Sequence, residues 1–189
     1  NAHLSFYNKM PTVEIHRALT KAAFNLIDEQ TPNYQFAAGR LLTYDIRKSA
    51  WGGMTPPKLY DFIKEMVKSG YYTKDLITLY DEKMWKKLDA IVDHDRDLDM
   101  TYIAVKEFMT KYAMRDRSLD EVIPMETPQL AYILIAALQC SDRGDFKSIK
   151  SFYNDLSQNN VSMPTPIMAG LRSTVKQFSS CVLIDCDDT

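Results

Sequence analysis

The run from Leu130 to Leu138 constrains this chain more than any other feature. Nine consecutive apolar residues follow the pair Thr127-Pro128. That pair suits a helix start, because threonine can accept from the first free amides and proline has no amide to lose there. Crossing a bilayer takes roughly 20 apolar residues, so this helix belongs inside protein. A helix that is apolar on every side must be covered on every side. The rest of the chain therefore has to supply a coat of helices, each with one apolar face.

The spacing predicts such a coat. Ile15, Ala18, Leu19, Ala22, Ala23, Leu26 and Ile27 recur on one helical face, with Thr12 as a candidate cap and Glu14 beside it. A second helix is expected from about Asn33 to Trp51, stopped by Gly52-Gly53. Pro56-Pro57 precedes a stripe of Leu59, Phe62, Ile63, Met66 and Val67 that ends at Gly70. Further stripes are Met84, Trp85, Leu88, Ile91 and Val92, then Tyr102, Val105, Phe108, Met109 and Tyr112, and last Phe146, Ile149, Phe152, Tyr153 and Leu156. Between Ala113 and Met125 the rhythm breaks, and a turn near Asp116 predicts a short hairpin joining Tyr112–Met114 to Val122–Ile123.

Composition excludes several function classes. Hydrophobic residues make up 46% of the 189, too many for a disordered chain. The net charge of -2, from 23 basic and 25 acidic residues, gives no basis for binding nucleic acid or an acidic membrane surface. No signal peptide opens the sequence. Three cysteines, Cys140, Cys181 and Cys186, fit a reducing compartment and a cytoplasmic location better than a disulfide scaffold. The three histidines, His3, His16 and His94, lie far apart, so no metal site is expected. His16 and His94 read as structural groups bonded to helical neighbours.

After Asn160 the character changes. Pro164-Thr165-Pro166 predicts extended backbone, since each proline fixes its own φ and restricts its predecessor. Cys181-Val182-Leu183-Ile184-Asp185 reads as a buried strand. On such a strand Cys181 and Cys186 would face opposite sides and would not pair with each other. Cys140 and Cys186 read as structural.

The stretch Ser162-Met163-Pro164-Thr165-Pro166-Ile167-Met168-Ala169-Gly170-Leu171-Arg172, followed by Gln177-Phe178-Ser179-Ser180-Cys181-Val182-Leu183-Ile184-Asp185-Cys186-Asp187-Asp188, resembles the large, catalytic subunit of class I ribonucleotide reductases. Two motifs occur in family order and at family distance. Asp93-His94-Asp95-Arg96-Asp97, Pro32-Asn33-Tyr34-Gln35 and Phe152-Tyr153 also resemble that family, so the likeness covers essentially the whole chain. It implies a mainly α fold: the helical N-terminal domain of the large subunit, with the second half of an ATP-cone, leading into the first strand of a ten-stranded α/β barrel. The implied divisions are residues 1–50 for the cone-like helices, 51–160 for the helical domain and 161–189 for the start of the barrel.

The resemblance also implies a chemistry. A thiyl radical on the complete subunit abstracts the ribose 3'-hydrogen of a ribonucleoside diphosphate, and a dithiol reduces the 2'-position and becomes a disulfide. By position, Cys181 is one member of that redox pair, while Thr165, Ser180 and Cys181 contact substrate. Asp188, with Thr189, stands where the ribose of an allosteric effector, ATP or a deoxynucleoside triphosphate, is bound. Thr12 and Lys48 match nucleotide-contacting positions of the cone, whose leading strands and phosphate segment do not occur here. The implied partners are a small β subunit bearing the metal-radical cofactor, thioredoxin or glutaredoxin as reductant, and a second large subunit in a homodimer. No cofactor is expected on this chain itself, nor a nucleic acid or membrane partner.

The sequence departs from the family in three places. Asp187 replaces the usual glycine, Asp45 stands where histidine is common, and Arg172-Ser173-Thr174-Val175-Lys176 replaces a proline-containing segment that is basic at both ends. The second cysteine, the radical cysteine and the C-terminal thiol pair are absent, so the chain is expected to be a fragment that is inactive alone. The rival reading is a self-contained helical interaction module.

Overall fold

The computed structural model describes residues 6–116, 118 and 120–184. Helix α7, Pro128–Gln139, lies at the centre as its composition demands. Leu130, Ala131 and Ile133 to Ala137 have no exposed surface, and Tyr132 keeps 8%. The coat consists of α3 (Leu59–Lys68), the short α4 (Asp75–Thr78), α5 (Glu82–Asp89), α8 (Phe146–Ser157) and the short α9 (Thr165–Gly170). Their inward faces, among them Leu59, Ile63, Leu76, Trp85, Leu88, Ile149, Tyr153 and Met168, close one core around α7.

A second, smaller core lies between α2 (Tyr34–Trp51) and α6 (Tyr102–Glu107) with its continuation. It holds Leu42, Ile46, Val105 and Met109. Helix α1 (Thr12–Phe24) packs on α2, with His16 against the Leu41 carbonyl. Gly39 lets α2 lie directly on the chain at Met100–Tyr102, because a Cβ there would run into the Met100 carbonyl oxygen.

Three helix starts and one helix end follow the local chemistry. Asp81, Thr101 and Asp145 accept from the amides of Met84, Ala104 and Ser148, satisfying donors that have no partner within the helix. Gly52 ends α2 in the left-handed conformation, φ 70°.

Four expectations need correction. Thr12 is the first residue of α1 and does not cap it; Pro11 holds the cap position with no side-chain bond. Thr127 occupies the cap position of α7, yet its hydroxyl has no partner. The Gln129 amide donates instead to Asp97 Oδ1 at 3.2 Å, so the cap comes from a distant turn. Thr165 is helical rather than extended: Pro164 supplies the extended entry, and Pro166 sits in the first turn, where a missing amide costs nothing. The expected buried strand at Cys181–Asp185 is not formed by residues 181–184, and Asp185 falls outside the described residues. Val182, Leu183 and Ile184 are 70%, 98% and 76% exposed, because a strand requires a neighbour to bond and none among the described residues pairs with them.

The hairpin reduces to one antiparallel bridge between Arg115 and Pro124, with the Met125 amide donating to the Met114 carbonyl at 2.8 Å. After Glu107 the α6 helix widens into one π turn, Phe108–Tyr112. Among the described residues no helix is long and apolar enough to cross a membrane.

Candidate functional site

The segment from Thr165 to Cys181 is fastened to the helical core at Arg172, whose side chain is fully buried. Its Nε donates to both oxygens of Glu126, at 3.0 and 2.9 Å, and one terminal nitrogen pairs with Glu126 as well. The other donates to the Met168 carbonyl of α9, and a further bond of 2.7 Å reaches the Tyr112 carbonyl at the end of the π turn. Glu126 in turn accepts from the Tyr72 hydroxyl at 2.5 Å and the Met114 amide at 2.6 Å. Every strong donor and acceptor in this buried cluster is thus engaged, which a buried ion pair requires. Burial opposes the Arg172 cation most, but the charge and hydrogen bonds of Glu126, joined by Tyr72, together outweigh it and raise the guanidinium pKa above its ordinary value. Burial and the same carboxylate push the Tyr72 hydroxyl well above its ordinary value.

Beyond Arg172 the chain is tethered residue by residue. The Arg172 carbonyl accepts from the Thr73 amide at 2.9 Å, and Ser173 bridges to Tyr72. Lys176 Nζ donates to Asp75 Oδ2 at 2.9 Å and to the Thr73 hydroxyl at 3.3 Å. This bond, then that from Thr73, holds the Asp75 carboxyl below its ordinary value. Phe178 lies against Gly170, where an added Cβ would meet its ring at 3.6 Å. The two cations that frame this segment therefore act differently: Arg172 turns inward and Lys176 outward.

Cys181 is exposed, and the Ser180 hydroxyl points at its sulfur, 3.7 Å away. Thr165, also exposed, is the first residue of α9. A cleft of about 450 Å³ runs alongside, between α9 and the π turn, with Tyr71, Lys111, Arg115, Pro166, Gly170 and Gln177 among its walls. Thr165, Ser180 and Cys181 do not line it. The structure thus brings the Ser180 hydroxyl and the Cys181 sulfur together. Asp188 and Thr189 lie outside the described residues, as does Cys186.

Thr12 and Lys48 are both exposed, at the start of α1 and in the last turn of α2. His16 bonds a helical neighbour as expected, its Nε2 lying 2.5 Å from the Leu41 carbonyl oxygen. His94 does not: its ring stands edge-on to Trp51, and its Nδ1 has no partner. Burial, then the Arg47 cation, lowers its pKa from 6.5 to about 4. Asp97, in the same turn (His94–Asp99), is fully buried, and burial raises its pKa to about 7. No group of three or more His, Cys, Asp or Glu side chains suited to a metal ion occurs among the described residues.

Sequence reasoning missed Glu126 and Tyr72 and noted Arg172 only as a surviving charge. The available signal was an arginine seven residues after Thr165 and nine before Cys181, too close to both for its position to be independent of theirs.

Comparison with known proteins defines the class first. The ribonucleotide reductase all-alpha domain family matches residues 98–175, from the end of the Asp97 turn past Arg172. Whole-chain matches then extend it. The chain is 41% identical over 191 residues to the ribonucleoside-diphosphate reductase 1 subunit alpha of Escherichia coli, and 40% over 193 residues to the subunit alpha of Haemophilus influenzae. Each match covers 100% of this chain and 25% of the relative. The subunit alpha of Enterobacteria phage T4 is 35% identical over 182 residues, 95% of this chain and 24% of its own length. The chain belongs to the ribonucleotide reductase large-subunit family, and it spans about a quarter of the length of these relatives.

Proposed function

We propose that this chain contributes the helical domain and the first site segment of a ribonucleoside-diphosphate reductase large subunit. In the reaction, a ribonucleoside diphosphate and a dithiol yield the 2'-deoxyribonucleoside diphosphate, a disulfide and water. Cys181 supplies one of the two thiols, which a thioredoxin or glutaredoxin later restores by exchange. Ser180 bonds a ribose hydroxyl, and Thr165 holds the diphosphate. Asp188 and Thr189 bind the ribose of an effector nucleotide, while Thr12 and Lys48 mark a partial nucleotide site on the α1–α2 pair. Residues 1–50, 51–160 and 161–189 are the cone-like, helical and barrel-entry parts. The subunit works in the cytoplasm as a homodimer, with a smaller β subunit that carries the metal-radical cofactor.

One observation carries this reading. An exposed thiol beside a serine hydroxyl ends a segment that the core grips through a buried arginine. The test is Cys181→Ser in the complete large subunit, assayed with its radical-bearing partner and a thiol reductant. Multiple turnover should fall by at least about 10³-fold, since an alcohol cannot form the disulfide; turnover at the normal rate overturns the reading. This chain alone should show no turnover, lacking the second thiol.

A second reading, a helical interaction module, draws on the exposed apolar residues Val182 to Ile184. Under that reading Cys181→Ser changes nothing.

A further inference from the structure

A buried ion pair is a weak source of stability, since well-packed apolar residues of the same volume usually do as well. What a guanidinium offers in return is direction, through donors fixed in a planar fork. Here the fork has three destinations: Glu126 before α7, the Tyr112 carbonyl at the π turn, and the Met168 carbonyl inside α9. The residue bearing it lies between Thr165, on the first turn of α9, and Cys181, beyond the tethered stretch. The tethers reach Phe178 on Gly170, and from Ser179 to Ile184 the chain is exposed.

We propose that Arg172 is a positioning residue, which fixes Thr165 relative to the Ser180–Cys181 pair and so sets the affinity of the site for a nucleoside diphosphate. The inference rests on the reading of those three residues given above. Lysine cannot replace the fork, because an ammonium is a point charge that serves no three planar destinations at once. Lys176 on Asp75 is the second, surface half of the same clamp.

The test measures KM and kcat separately for Arg172→Lys in the complete subunit with its radical-bearing partner. A purely structural role removes active enzyme, so kcat falls and KM stays. Positioning predicts the opposite: KM for the nucleoside diphosphate rises about tenfold, with kcat within about threefold of the parent. An unchanged KM in a variant with the parent's circular dichroism overturns the proposal. If Arg172→Lys does not fold, Lys176→Ala decides the matter, because its ion pair is exposed and the fold does not depend on it. A KM rise of about threefold then supports the clamp, and an unchanged KM sinks it. Cys181→Ser, run alongside, separates the two failures. Full turnover there discards the thiol reading, whereas lost turnover with an unchanged KM in the clamp variant discards only the role of Arg172.

Discussion

Asp97 and His94 share one turn and carry opposite pH dependences. The Asp97 carboxyl holds its proton up to about 7 in the fold, against an ordinary value of 3.8. Between those values the unfolded chain has released a proton that the folded chain keeps, so stability falls as pH rises through the window. His94 is displaced the other way, from 6.5 to about 4. Between those values the unfolded chain takes up a proton that the fold refuses, so stability falls as pH drops. The two effects nearly cancel in the native chain. Asp97→Asn, which keeps the acceptor for the Gln129 amide, should therefore lose stability on acidification from pH 6.5 to 4. His94→Asn should lose stability as pH rises from 4 to 7. Urea unfolding at fixed pH reads both slopes, and two variants that parallel the parent would refute the assignment. Asp97→Ala removes the remote cap too, at a cost of about 1–2 kcal/mol at every pH.

At the scale of elements, the helices were legible in the sequence because their signals are local. Periodicity and glycine stops placed α2, α3, α7 and α8 nearly to the residue. The capping of α7 was not legible, since Asp97 is 32 positions from Gln129 and nothing in either segment announces the other. The anchoring role of Arg172 was not legible for a related reason: its carboxylate lies 46 positions away. Residues 181–184 form no strand here, because apolar, β-branched residues state a preference that only a neighbouring strand can satisfy. Packing also reverses one propensity rule. Alanine outranks glycine in helices by about 1 kcal/mol, yet Gly39→Ala should destabilise by about 1–3 kcal/mol, because the new methyl meets backbone rather than a movable side chain. Leu134→Ala, at the centre of α7 with no exposed surface, should cost about 2–5 kcal/mol. Both are measurable by thermal or urea unfolding.

At the scale of the whole molecule, the helices close a core around α7, whereas the site is assembled only in part. Ser180 and Cys181 lie together at the end of a gripped segment, Thr165 stands on α9, and the effector positions fall beyond the described residues. Thiol labelling tests this arrangement. Burial raises the pKa of the half-buried Cys140, so its thiolate is scarcer and less accessible. Timed alkylation resolved by peptide mass should modify Cys181 well before Cys140; equal rates would contradict the exposure of the Cys181 segment. The separation between body and site also accounts for what the sequence made plain. A core is a property of patterns repeated over many residues, while a site of three side chains depends on distances that no spacing rule supplies.

The bare run Val182-Leu183-Ile184 has a practical consequence. With Ser179, Ser180 and Cys181 these residues make an exposed stretch of six, free of proline and charge, the kind of segment on which chains stack into cross-β fibrils. Concentrated stocks of this polypeptide should therefore turn thioflavin-positive on storage while the helical signal is still largely intact. Leu183→Lys, placed where the side chain is almost wholly in solvent, should delay that onset without moving the melting temperature.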